Sequence, residues 1–242
     1  MAGGYQALML ESAVEAGVKW IIPNEYSLDG MNNAMVDKAP LTWPKREARQ
    51  LVEKVSAEHG GKAKWIGVAT NPWVPFGIQT GSFGINIYKK TATLYSDAGS
   101  FNVSTLDQVG RGIAALLSLP VTNEQNPRAS LTHYGNNFVY ISSAFITQQQ
   151  LFEAMQRATG TTQADWEISH STCAERLRVA QEKFAAGDVF GGADGIFSVY
   201  MAEGNYEDKA GADREVLGLQ ELSNLDGIAK EAVESPPPAA FK

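Results

Sequence analysis

By type and spacing, Lys45 is well placed in this chain to move a proton. At 100° per residue, positions 45, 48, 52 and 55 fall within a helical sector of roughly 80°. Lys45 therefore borders an apolar stripe made by Ala48, Val52 and Val55. Thr42 and Pro44 mark the start of that helix, proline because its missing N–H costs nothing in a first turn. An ammonium there is disfavoured by the positive end of the helix dipole. With partial desolvation added, its pKa falls and the lysine suits general acid or base work. Spacing alone still favours the plainer reading, a solvated lysine on a helix end.

Other chemistry is sparse. His59, His133 and His170 lie far apart with no partner at ligand spacing, so no metal site is expected. There is no Gly-x-Ser-x-Gly elbow, no Gly-Lys-Ser/Thr, and no tyrosine followed four residues later by lysine. The single cysteine, Cys173, cannot form an internal bridge and reads as a small helical residue without a group to activate it. Gly191-Gly192-Ala193-Asp194-Gly195 comes nearest to a phosphate-gripping loop. It follows a helix rather than a strand, so a helix-to-helix turn is expected and no phosphate loop is assigned.

The elements that must hold Lys45 follow an α/β grammar. A helix is expected over about 5–16 with Gly17 as its cap, then a short strand over 18–23 stopped by Pro23, and a loop over 24–41. The Lys45 helix runs to about His59 and leads to a buried strand over 63–70. Such alternation builds a parallel sheet covered on both faces. Both strands would deliver their following loops to the carboxyl edge, where ligands bind in open α/β folds. There Trp73, Phe76 and Phe83 could line an apolar pocket beside Lys45 and the Asn24–Tyr26 loop; core aromatics under a long loop fit equally well. Further on, Ser104 and Thr105 open a helix to about Leu119, and 138–142 reads as a strand. Thr147 with Gln150 and Thr172 with Glu175 make two capping boxes. Trp166–Ile168 is a strand candidate, a last helix spans about 213–233, and the proline run after Ser235 begins a disordered tail.

Composition narrows the class. With 44% hydrophobic and 19% charged residues the 242-residue chain folds around a real core. A net charge of −7 without a Lys/Arg cluster argues against a nucleic-acid partner. No apolar run is long enough to span a bilayer and no signal peptide opens the chain, so the cytoplasm is the expected location.

Several blocks resemble a known family. Glu15 to Tyr26, reading EAGVKWIIPNEY, looks like the "EAGVKRFIPSEFG" segment of NmrA-like and isoflavone-reductase-like proteins, atypical short-chain reductases that bind NAD(P). The likeness continues through Trp43-Pro44-Lys45-Arg46 and Trp65 to Trp73. It reaches the fungal branch of the family at 92–99, 104–111 and 138–142. In order, these blocks cover about Gln6 to Leu177, with Ser27 where the family usually has glycine.

The resemblance implies a partial Rossmann-like parallel sheet with a smaller α/β substrate-binding region. It assigns 1–77 and 105–143 to the NAD(P)-binding part, 78–104 and 144–234 to the substrate-binding region, and 235–242 to the tail. Lys45 takes the position of the family's proposed catalytic lysine, which assists proton transfer as NADPH delivers hydride. Pro23, Asn24, Glu25, Tyr26, Asn71 and Pro72 match stretches along the nicotinamide half of the cofactor. Trp73, Phe76 and Phe83 are the substrate-side expectation. The family's opening strand–Gly-x-x-Gly-x-x-Gly–helix is not found, an absence on the order of 80 residues at about 30 per βαβ unit. The implied function is reduction of a small aromatic or enone substrate by NADPH, in an amino-truncated form impaired in cofactor binding. The alternative is a non-catalytic NAD(P)-sensing regulator of the NmrA type, acting through a protein partner.

Overall fold

The computed structural model describes residues 2–221 and 224–235. In chain order its elements begin with α1 (Ala2–Glu15), β1 (Trp20–Ile21), α2 (Asn33–Lys38), α3 (Trp43–Glu58), β2 (Lys64–Ala69) and α4 (Val74–Gln79). There follow β3 (Ile85–Asn86), β4 (Thr91–Tyr95), β5 (Ser100–Val103), α5 (Leu106–Leu117), α6 (Leu131–Tyr134) and β6 (Asn137–Tyr140). The remainder is β7 (Ala144–Thr147), α7 (Gln148–Thr159), β8 (Glu167–Ser171), α8 (Cys173–Ala185), α9 (Val189–Glu203), α10 (Glu207–Leu217) and α11 (Leu225–Glu234).

Strands β1, β2 and β6 form a parallel sheet in that order, with Trp20 opposite Lys64 and Ile66 opposite Asn137. Alternation along β2 and β6 sends side chains to opposite faces. Trp65, Ala69, Phe138 and Tyr140 pack with Leu10 and Val14 of α1 and with Ala48, Val52 and Val55 of α3. Ile66, Val68 and Val139 pack on the other face with Val109 and Leu116 of α5, Leu131 and Tyr134 of α6, and Leu217. The parallel sheet covered on both faces is thus the α/β architecture expected. A third apolar core joins α4, β3, β4, β5, β7, α7, α9 and α11 around Phe83, Phe101 and Phe152. Within it β4 pairs in parallel with β8 and antiparallel with β3, while β5 pairs antiparallel with β7.

Several local expectations are corrected. The strand over 18–23 is only Trp20–Ile21, because the Val18 N–H turns back to Ala13 O at the end of α1 and Glu25 N bonds Pro23 O in a tight turn. Asn24–Leu41 is not all loop: Asn32 caps α2 and a 3₁₀ turn spans Pro40–Thr42. Thr42 does not cap α3 with its side chain; its hydroxyl donates to Ala39 O at 2.7 Å. Thr105 caps α5, accepting from Gln108 N, whereas Ser104 donates to Thr70 O and Ile141 O and so ties the ends of β2 and β6 together. Glu167–Ser171 form the strand β8, and Trp166 precedes it as a buried ring. The helix expected over 213–233 is two, because α10 ends at Gly218 with φ +63°. Gly191–Gly195 is no turn but lies inside α9, whose Asp188 cap accepts from Gly191 N. A Cβ at Gly192 would sit 2.7 Å from the Phe184 ring, so the glycine permits α8 and α9 to approach. The Thr147 capping box is complete, and Thr172 accepts from Glu175 N at 3.0 Å. The tail expected over 235–242 lies, beyond Ser235, outside the described residues.

Candidate active site

The carboxyl ends of β1 and β2 bring two loops together. Ser27 O accepts from both Thr70 N and Asn71 N at 2.9 Å, so the loop after β1 is sewn to the loop after β2. Tyr26 and Asn71, one on each loop, hold left-handed φ values of +32° and +50°. For non-glycine residues such conformations persist only where the surroundings hold them.

Lys45 reaches this edge from the first turn of α3. Its Nζ donates to Asn24 O at 2.9 Å and to Glu25 O at 2.5 Å. A lysine ammonium has three protons to donate, so one remains. Burial pulls the Lys45 pKa below its ordinary value; Glu25 opposes that shift and Arg49 adds to it. The Glu25 carboxylate, 2% exposed, pairs with Arg49 at 2.6 Å. Burial nonetheless raises its pKa, against the opposing pull of Arg49.

Next to these loops lies an apolar cavity of about 220 Å³, lined by Tyr26, Asn71, Pro72, Trp73, Phe76, Ala193, Ile196, Phe197 and Tyr200. Of the residues expected on the cofactor side, Tyr26, Asn71 and Pro72 are in its wall. Pro23 and Glu25 are buried outside its lining and Asn24 is exposed. Trp73 and Phe76, the substrate-side expectation, are also in its wall. Phe83 does not: it is fully buried in the third core, stacked on Phe101 and edge-on to Phe197. Lys45 is not in the wall either; it holds the loop that ends in Tyr26. A larger cavity, about 520 Å³ between β6 and α10, shares none of these residues.

The far wall comes entirely from α9. Its Ala193, Ile196, Phe197 and Tyr200 follow the i, i+3, i+4, i+7 spacing of one helical face. That signal is present in the sequence, but reading 191–195 as a turn conceals it. Ser27 Oγ lies 2.7 Å from the Tyr200 hydroxyl, so this serine ties the loop after β1 to α9. Cys173 does not line the cavity; burial, and then Asp97, push its thiol up to about 12. Among the described residues no group of three His, Cys, Asp or Glu is arranged to hold a metal, and no helix is long and apolar enough to cross a membrane.

The cavity lies at the carboxyl edge of the sheet, where ligands bind in open α/β folds, and its lining is mostly apolar.

No family model matches the chain. It is 24% identical over 226 residues to "Oxidoreductase aprR" of Aspergillus flavus, covering 92% of this chain and 70% of that protein. With "Oxidoreductase poxI" of Penicillium oxalicum it shares 26% over 188 residues, 76% of this chain and 54% of the relative. Among solved structures it is similar to one described under pinoresinol-lariciresinol and phenylcoumaran benzylic ether reductases. The TM-score there is 0.65 at 14% identity, covering 94% of this chain and 70% of the other. The leucoanthocyanidin reductase–NADPH complex from Vitis vinifera gives a TM-score of 0.61 at 13% identity, covering 95% and 74%. The chain therefore has the Rossmann-like fold of the NADPH-dependent, isoflavone-reductase-like reductases, and fungal oxidoreductases are among its sequence relatives.

Proposed function

We propose that this chain serves an NAD(P)H-dependent reductase acting on a small apolar substrate, aromatic or enone in character. The supporting observation is Lys45, partly buried and anchored by the carbonyls of Asn24 and Glu25 at the carboxyl edge of the parallel sheet. It thereby holds the loop whose next residue, Tyr26, lines the apolar cavity. The chain spans 70% of one fungal relative and 54% of another, so the activity is proposed for the whole protein. In this reading residues 1–77 and 105–143 form the cofactor side, and 78–104 with 144–234 the substrate side.

NADPH, when bound, supplies a hydride to a carbonyl or alkene carbon of the substrate. Tyr26, Asn71 and Pro72 line the cofactor side of the cavity, while Trp73 and Phe76 exclude water from the reacting face. Lys45 holds the proton that completes the reduction on its third N–H and recovers it from solvent.

The test is NADPH oxidation, followed at the cofactor's absorbance with a panel of enones and aromatic carbonyls. Turnover with wild type, and its loss in Lys45→Ala with cofactor binding retained, supports the reading. With the whole protein, no heat at millimolar NADPH in calorimetry, or turnover unchanged in Lys45→Ala, overturns it.

A further inference from the structure

The α9 wall of the apolar cavity is fixed in place, and one small side chain on it leaves the room inside. Ala193, Ile196, Phe197 and Tyr200 fall within a sector of about 100° on α9. Ala193 is the smallest of the four. Gly192 and Gly195 turn instead towards α8: a Cβ on Gly192 would sit 2.7 Å from the Phe184 ring, and one on Gly195 would sit 3.3 Å from Ala180 Cβ. Both halves of α9 are also tied down. Arg176 Nη2 donates to Asp194 Oδ1 at 2.6 Å and to Ser82 O at 2.8 Å. Further along, the Tyr200 hydroxyl bonds with Ser27, and Glu203 pairs with Lys38 at 2.5 Å. Backed by α8 and held along its length, α9 does not recede, so atoms added at position 193 enter the cavity.

The lining contains no charged residue, and three of its polar side chains are engaged elsewhere. The Trp73 indole N–H donates to Thr70 Oγ1 at 3.2 Å, Asn71 Nδ2 donates to Gly204 O at 2.6 Å, and the Tyr200 hydroxyl is shared with Ser27. A charged ligand would lose its water here and find no countercharge, so the cavity disfavours it. Size sets a second limit. An apolar cavity of about 150 Å³ takes up one benzene ring. The present cavity, about 220 Å³, therefore encloses one ring and about three further heavy atoms.

We propose that Ala193 determines specificity: the cavity takes a single uncharged ring with a short substituent, and the alanine methyl sets that size limit. The inference rests on this cavity being the ligand site of the reductase proposed above, and it is tested by binding rather than turnover.

Acetophenone is one ring with three further heavy atoms, and benzoate is its charged isostere. In titrations followed by ligand-observed NMR, wild type is expected to bind acetophenone at least about tenfold more tightly than benzoate. The walls leave no room for the second ring of 2-acetonaphthone, so its affinity should stay within about tenfold of that of acetophenone. Ala193→Leu adds three carbons while keeping a strong helix former, and should weaken acetophenone binding at least about tenfold. Val189→Leu, exposed on the same helix and outside the lining, should leave it unchanged. No binding of acetophenone, benzoate bound as tightly, a larger gain for 2-acetonaphthone, or acetophenone binding undiminished in Ala193→Leu overturns the proposal. Should Ala193→Leu not fold by circular dichroism, Ala193→Met, which also adds three heavy atoms, decides. Acetophenone binding that depends on Ala193, in a whole protein that oxidises no NADPH, overturns the reductase reading alone. NADPH oxidation with acetophenone binding indifferent to Ala193 overturns the present proposal alone.

Discussion

Arg49 Nη1 donates to Glu25 Oε1 at 2.6 Å, in an ion pair whose side chains are only 8% and 2% exposed. Arg49 also donates to Gly30 O at 3.0 Å and lies 5.4 Å from the Trp65 ring centroid and 5.1 Å from that of Phe138. One turn earlier on α3, Lys45 holds the backbone carbonyl of the same Glu25. A single helix thus grips Glu25 by its side chain and by its main chain, and the grip positions Tyr26. Removing one partner leaves the other charge buried and unpaired, at a cost of about 3–5 kcal/mol. Arg49→Met should lose stability on that scale, and Arg49→Met with Glu25→Leu should recover most of it. Urea denaturation of the two singles and the double measures the coupling; additive losses would mean that the two side chains do not depend on each other.

Lys45 should release its proton at lower pH than a free lysine does, because burial disfavours its ammonium. Carbon-13 NMR of the reductively methylated protein, assigned with Lys45→Arg, reads this directly. The linkage has a definite sign. Between the folded and the ordinary lysine pKa the unfolded chain holds a proton that the folded one has given up. The Lys45 contribution to stability therefore rises with pH across that window, and a Lys45 titrating at or above the ordinary value contradicts it.

Cys173 opens α8 with its thiol buried, and burial with Asp97 raises its pKa from the ordinary 9.0 to about 12. Its contribution to stability is complete below pH 9 and is lost as pH climbs towards 12, because the unfolded thiol ionises first. Iodoacetamide should label the native protein slowly and the urea-unfolded protein quickly at pH 8.5. Equal rates would place the thiol in a different environment.

Two glycines separate close approach from plain helix cost. Gly204→Ala places a methyl 2.3 Å from Tyr200 O, an overpacking expected to cost about 1–3 kcal/mol. Gly110 lies exposed in α5, and a Cβ added there would meet nothing within 4 Å, so Gly110→Ala should gain about 0.5–1 kcal/mol. Thermal melts of the two variants should move in opposite directions; a shift of the same sign would refute the contrast.

Features that depend on neighbours along the chain are legible in the amino-acid order. The apolar run of β2, the stripe of Ala48, Val52 and Val55, and the Thr147 cap are local signals, and each lies where its periodicity or capping chemistry requires. The place of Lys45 at the margin of that stripe is legible from helical phase, whereas its catalytic reading comes only from the family resemblance. Contacts between distant segments exist only once the chain has folded. Ser27 meets Tyr200 across 173 positions, and Asn71 meets Gly204 across 133. No spacing rule announces such pairs. The depth of Phe83 likewise depends on Phe101 and Phe197 closing over it rather than on its own neighbours. Gly191–Gly195 shows the limit most clearly. Glycine's weak helix propensity argues for a turn there, but the Asp188 cap and packing on α8 override it. With that helix in place, the far wall of the cavity is built.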